Sequence, residues 1–165
     1  AGSDVNQAAV KAASERFAAS GNAIFFHHDA RLPFPASKAF DIVLMKAFLT
    51  CLTTRAEHIA VLWNARAAAR EGACLFVMDF LQNWESPLYR ARYEAGLADG
   101  LERGTFHAPA LDDSGGYAAH HFDRLEIAEL LENSGWQLER FETLPVTTRS
   151  GNKATGFAFS ATANR

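Results

Sequence analysis

The sequence predicts an α/β domain built on a mostly parallel sheet with helices on both faces. Three observations carry that expectation. Short apolar runs of strand character occur at 23–28, 40–45 and 74–80. Segments of helical periodicity, at 5–20 and 55–70, alternate with them, and strands that alternate with helices pair in parallel. Near the end, 137–143 and 156–161 read as two further strands, a closing antiparallel hairpin.

Each element has a local reason. Ala8, Ala9, Ala12, Ala13 and Phe17 make an apolar stripe over 5–20, and Gly21 suits its C-cap. The run Ala23-Ile24-Phe25-Phe26-His27-His28 is short and aromatic, and Asp29 opens a loop stiffened by Pro33 and Pro35. Phe40-Asp41-Ile42-Val43-Leu44-Met45 is a continuous apolar run led by an acid, the pattern of a buried parallel strand. Ile59, Leu62, Trp63, Ala65, Ala67 and Ala69 stripe the next helix, which Glu71-Gly72 ends before 74–80. Then the rhythm breaks. Residues 81–119 show no clear strand, a short helix over 87–97 and a turn at 112–116. An insertion this long in a compact domain is usually functional or disordered. The spacing Asp123-x-x-Glu126 is a capping box that opens a last helix through Asn133.

Composition narrows the function classes. A net charge of −3 argues against a nucleic-acid surface, which usually carries basic excess. No apolar run reaches the roughly 18 residues of a membrane span, and no signal peptide is visible. Cys51 and Cys74 sit in apolar settings, so free thiols and a cytoplasmic location are expected.

The ordered motifs resemble a known family. An apolar strand ending in Asp29-Ala30, then Leu32-Pro33-Phe34, then the Phe40-Asp41-x-Val43 strand is similar to the middle of the Rossmann-like (class I) S-adenosylmethionine-dependent methyltransferases. Gly2-Ser3-Asp4-Val5-Asn6 resembles the end of that family's second strand. Residues 72–80 resemble its fifth, and 121–136, ending in Gly135-Trp136, its last helix. The family's first strand and Gly-x-Gly-x-Gly loop have no counterpart in the 165 residues. The resemblance therefore implies one domain, 1–165, with its first strand missing from this chain and a gap beside the strand led by Asp41.

The resemblance also implies a cofactor, S-adenosylmethionine, and a site. Asp4 with Val5 would hold the ribose, Asp29 and Ala30 the adenine, and Met45, Lys46 and Phe48 would flank the methionine part. Read from the residues alone, Asp4 serves equally as a helix N-cap and Asp29 as turn chemistry. The 81–119 insertion is expected to form an acceptor-side lid, with Trp84, Tyr89, Tyr93 and, from the last loop, Arg149 as acceptor contacts. His120 or His121 is the candidate general base, since a histidine titrates near neutrality. The acceptor is expected to be a small molecule, with no membrane partner and self-association open. No ligand spacing joins His27 or His28 to His120 and His121, so no metal is expected.

Two rival readings stand beside this one. A nicotinamide-dependent reductase of the short-chain type would need Tyr-x-x-x-Lys. Tyr89, Tyr93 and Tyr117 are followed four residues on by Tyr93, Leu97 and His121. A non-catalytic, truncated binding domain is the other. The Asn-Pro-Pro-aromatic signature of amino-methylating nucleic-acid enzymes is absent.

Overall fold

The computed structural model describes residues 1–35, 38–109, 116–148 and 150–163. Of the turn expected at 112–116, only Gly116 lies within them. Strand β1 (Gly2–Asp4) pairs in parallel with β2 (Phe25–His27), and α1 (Gln7–Phe17) connects them. A side-chain oxygen of Asn6 accepts from the backbone N–H groups of Ala8 and Ala9 and so caps α1. Gly21, at φ 67°, ends the short 3₁₀ turn that follows, a left-handed conformation that costs glycine little.

A second sheet runs in the order β3 (Phe40–Lys46), β4 (Ala69–Phe80), β8 (Lys153–Ala163), β7 (Trp136–Thr147). β3 and β4 are parallel, and β8 is antiparallel to both its neighbours. Helices α2 (Arg55–Ala68) and α4 (Arg124–Asn133) cover one face of this sheet. There Met45, Leu75, Val77, Phe157 and Phe159 pack against Val61 and Leu62 of α2 and Ile127, Leu130 and Leu131 of α4. The capping box at Asp123 and Glu126 forms, and a second one, Thr54 with Glu57, starts α2. On the opposite face Ile42 and Leu44 stand beside Cys74 and Phe76. Ile42 and Leu44 remain 64% and 70% exposed.

Among the described residues β3 pairs only with β4, and β1 only with β2, so no ladder joins the two sheets. The strand order of the resemblance implies a break at this place.

The 81–119 segment is more regular than its sequence suggests. Helix α3 (Pro87–Ala98) is present, and β5 (Thr105–Ala108) pairs with β6 (Tyr117–His120) as an antiparallel ladder. Tyr89, Tyr93, Phe106, Ala108, Ala119 and Ala154 form a second apolar cluster there. The two strands have four residues each, too short for period-2 alternation to stand out. The closing hairpin is also tighter than the loop expected over 146–152, because β7 and β8 extend to Thr147 and Lys153.

Candidate functional site

Two carboxylates sit at the carboxyl ends of the paired strands β1 and β2. Asp4 is the last residue of β1, opposite His27, and is exposed. Its Oδ1 accepts the Asn6 N–H at 2.7 Å. Asn6 holds the N-cap of α1, so the capping reading of Asp4 falls away and its carboxylate faces solvent beside exposed Val5. Asp29 lies two residues beyond β2. Arg31 grips it, with its backbone N–H and Nε donating to Oδ1, both at 3.0 Å, and Nη2 and Nε to Oδ2 at 2.7 and 3.2 Å. The Arg31 guanidinium continues to Glu57 Oε1 on α2 at 2.8 Å. Hydrogen bonds from Arg31 hold the Asp29 carboxyl down at about 2. The Ala30 carbonyl accepts from Asn64 Nδ2. Arg31 escaped the sequence reading, and its only signal is its position two residues after Asp29.

The rim beyond β3 is arranged differently from expectation at one position. Met45 turns its side chain into the core, 8% exposed, so it has no side chain to offer at the rim. Alternation along a strand explains this, since Met45 shares the buried face with Val43. Lys46 ends β3 exposed, and Phe48 leans half-buried on the core. The turn 48–51 hangs on Asp79, near the end of β4. Asp79 Oδ2 accepts the Thr50 N–H and Oδ1 accepts the Phe80 N–H, each at 3.1 Å. Burial raises its carboxyl to about 6, against the pull of the N–H groups of Thr50, Phe80, Leu49 and Phe48. Burial, and then the Asp79 and Asp4 carboxylates, push the Cys51 thiol up. The sequence signal for Asp79 was an acid closing an apolar run.

The histidines and tyrosines proposed for catalysis and acceptor binding lie inside the protein. His120 is fully buried and His121 is 4% exposed. Tyr93 Oη accepts the Asn83 N–H at 3.1 Å and shares a hydrogen bond with His121 Nδ1 at 2.8 Å. Burial drives the His121 imidazole down to about 3. A ring that is buried, bonded and so weakly basic is a poor general base. Its stacking on Phe80 and contacts with Tyr89 and Phe106 make it a packing residue. Tyr89 and Tyr93 are 2% and 0% exposed and form the cluster under α3. They are corrected from acceptor contacts to core. Trp84 is half-buried, donates Nε1–H to Gln82 Oε1 at 2.7 Å and lies under the Arg103 guanidinium. Arg149 lies outside the described residues.

A polar cleft of about 200 Å³ opens where α2 and α4 begin, lined by Arg55, Gln82, Glu102, Arg103, Asp123 and Glu126. Three of these lining residues come from 81–119.

Solved structures place this geometry in a wider setting. A S-adenosylmethionine-dependent methyltransferase from Methanosarcina mazei superposes over 98% of this chain and 80% of its own, with 28% identity and a TM-score of 0.90. A S-adenosylmethionine-dependent methyltransferase from Clostridium acetobutylicum matches over 99% of this chain and 74% of its own, at 8% identity and a TM-score of 0.66. The [4+2]-cyclase SpnF matches over 98% and 64%, at 12% identity and a TM-score of 0.66. No protein-family model and no curated protein matches the sequence. The chain has the class I, Rossmann-like methyltransferase fold.

Proposed function

We propose that this methyltransferase-fold chain transfers a methyl group from S-adenosylmethionine to a small-molecule nucleophile, with Asp4 and Asp29 holding the donor's nucleoside. One observation carries the reading: two carboxylates stand at the carboxyl ends of paired parallel strands, where ligands of open α/β sheets sit. The residues fit such a group. Asp4 presents an exposed carboxylate to a pair of ribose hydroxyls. A carboxylate has about four lone-pair sites, and Arg31 makes four hydrogen bonds to Asp29, so an exocyclic amine there takes the place of one of them; the Nε–Oδ2 bond at 3.2 Å is the longest. The exposed end of β3 at Lys46 and the turn braced by Asp79 flank the remainder.

When bound, the sulfonium supplies the leaving group. This chain's residues then align donor and acceptor and exclude water. In this reading the 81–119 segment serves the acceptor, supported by its supplying Gln82, Glu102 and Arg103 to the cleft where α2 and α4 begin. No proton transfer is assigned to His120 or His121.

The M. mazei neighbour, named a S-adenosylmethionine-dependent methyltransferase, supports the donor. SpnF, named a cyclase, is the reminder that the fold hosts other chemistry. Thermal melting with S-adenosylhomocysteine and, separately, with NAD and NADPH tests the reading. A concentration-dependent rise with S-adenosylhomocysteine alone is expected. A rise with a nicotinamide dinucleotide instead overturns it, and no rise with any ligand favours a non-catalytic binding domain. No helix among the described residues is long and apolar enough to cross a membrane.

A further inference from the structure

Three basic atoms converge behind the polar cleft, and their hydrogen bonds fix where each lone pair lies. His58 on α2 and His120 at the end of β6 are both fully buried, with ring centroids 5.0 Å apart. His58 Nε2 lies 3.0 Å from the Leu49 carbonyl oxygen. A carbonyl only accepts, so Nε2 carries the hydrogen and Nδ1 is the bare nitrogen. That Nδ1 is buried and has no hydrogen-bond partner. Thr105 donates its hydroxyl hydrogen to the Thr53 carbonyl at 3.1 Å and lies 2.7 Å from His120 Nδ1. Its one hydrogen is committed, so His120 Nδ1–H donates to it. In the neutral ring Nε2 is then also bare, yet it sits 2.9 Å from Glu126 Oε1, a second acceptor.

A proton on His120 Nε2 would reconcile that ring with Glu126. It would leave the buried His58 Nδ1 without a partner, which costs the full desolvation of that atom. A cation shared by all three satisfies every atom. One ligating atom from each of His58, His120 and Glu126 lies within 4.8 Å of the others. Ligands about 2.0–2.1 Å from a tetrahedral ion stand roughly 3.4 Å apart, so side-chain adjustment closes the set. Each histidine also gives its other N–H to a fixed oxygen, Leu49 O or Thr105 Oγ1, the outer support that ligating histidines usually have.

We propose that His58, His120 and Glu126 bind one divalent transition metal of the zinc class. Two imidazoles and one carboxylate suit zinc better than calcium or magnesium, which prefer all-oxygen sets. Glu126 is 15% exposed at its side chain and lines the cleft, which gives the ion its way in and leaves a coordination position for water. The ion joins α2, β6 and α4, three elements that meet at the cleft.

The test uses the purified 165-residue chain, stripped with a chelator and titrated with Co²⁺, then with Zn²⁺. Expected are visible d–d bands of a tetrahedral cobalt site saturating at one equivalent, and their loss on adding one equivalent of zinc. Glu126→Gln and His58→Gln should each weaken cobalt binding about tenfold or more. Glutamine serves equally in a capping box, so the Glu126→Gln protein keeps its fold and keeps the test valid if His58→Gln does not fold. Absence of stoichiometric binding by the folded chain overturns the proposal. So does unchanged binding in Glu126→Gln, which would put the ion elsewhere.

Discussion

At the scale of single residues, Asp79 shows how the rim is held at a cost. It is 5% exposed, accepts backbone N–H groups from the turn after β3, and titrates near 6. A carboxyl whose folded value lies above its unfolded value of 3.8 binds more protons in the folded state across that window. Its contribution to stability is therefore fully present below about 4 and is lost as pH rises through about 6. The rise from 3.8 to about 6 corresponds to about 3 kcal/mol. Urea unfolding from pH 4 to pH 7 should show that decline in the wild type, reduced by about that amount in Asp79→Asn. An unchanged slope in the variant would assign it to other groups. Tyr93→Phe removes the hydroxyl that joins Asn83 to His121. It should cost about 1–3 kcal/mol by denaturant titration, because the buried His121 and the half-buried Asn83 N–H lose their bond.

At the scale of elements, legibility followed locality. The capping box at Asp123 and Glu126 sets the start of α4, and the sequence showed it because both partners lie within four residues. Asp123→Ala should lower stability by about 1 kcal/mol, measured by thermal melting. The β3 and β4 strands were legible as apolar runs. The β5–β6 pair was not, because four-residue strands owe their burial to α3 rather than to their own pattern. Gly96 marks that contact, since a Cβ there would collide with the Thr105 carbonyl oxygen. Gly96→Ala should destabilise the chain, read as a lower melting temperature, despite alanine's better helix propensity; a gain would show that α3 is free to shift. In the candidate site, the placement of Asp4 and Asp29 at the ends of β1 and β2 was readable from motif order. Arg31, Asp79 and Cys51 were not, because their roles depend on contacts across elements. The His58, His120 and Glu126 convergence was missed for the same reason. His58 lies 62 residues before His120 in the chain, far outside any compact ligand motif.

At the scale of the whole molecule, the open side of the four-stranded sheet is the least settled surface. Among the described residues β3 has one unpaired edge, with Ile42 and Leu44 exposed beside it. Such an edge invites pairing with another chain. Sedimentation should show concentration-dependent self-association that Ile42→Lys reduces; a monomer at all concentrations would mean the edge is protected. The proposed donor site lies at the carboxyl ends of β1 and β2, where Asp4 and Asp29 stand. Hydrogen bonds to a charged group contribute about 1.5–3 kcal/mol each. The most direct measurement is a calorimetric titration of S-adenosylhomocysteine into the wild-type chain and into Asp4→Ala. The account predicts saturable one-to-one binding that Asp4→Ala weakens roughly ten- to hundredfold. Equal affinity in the two proteins, or no binding by the folded wild type, would contradict it.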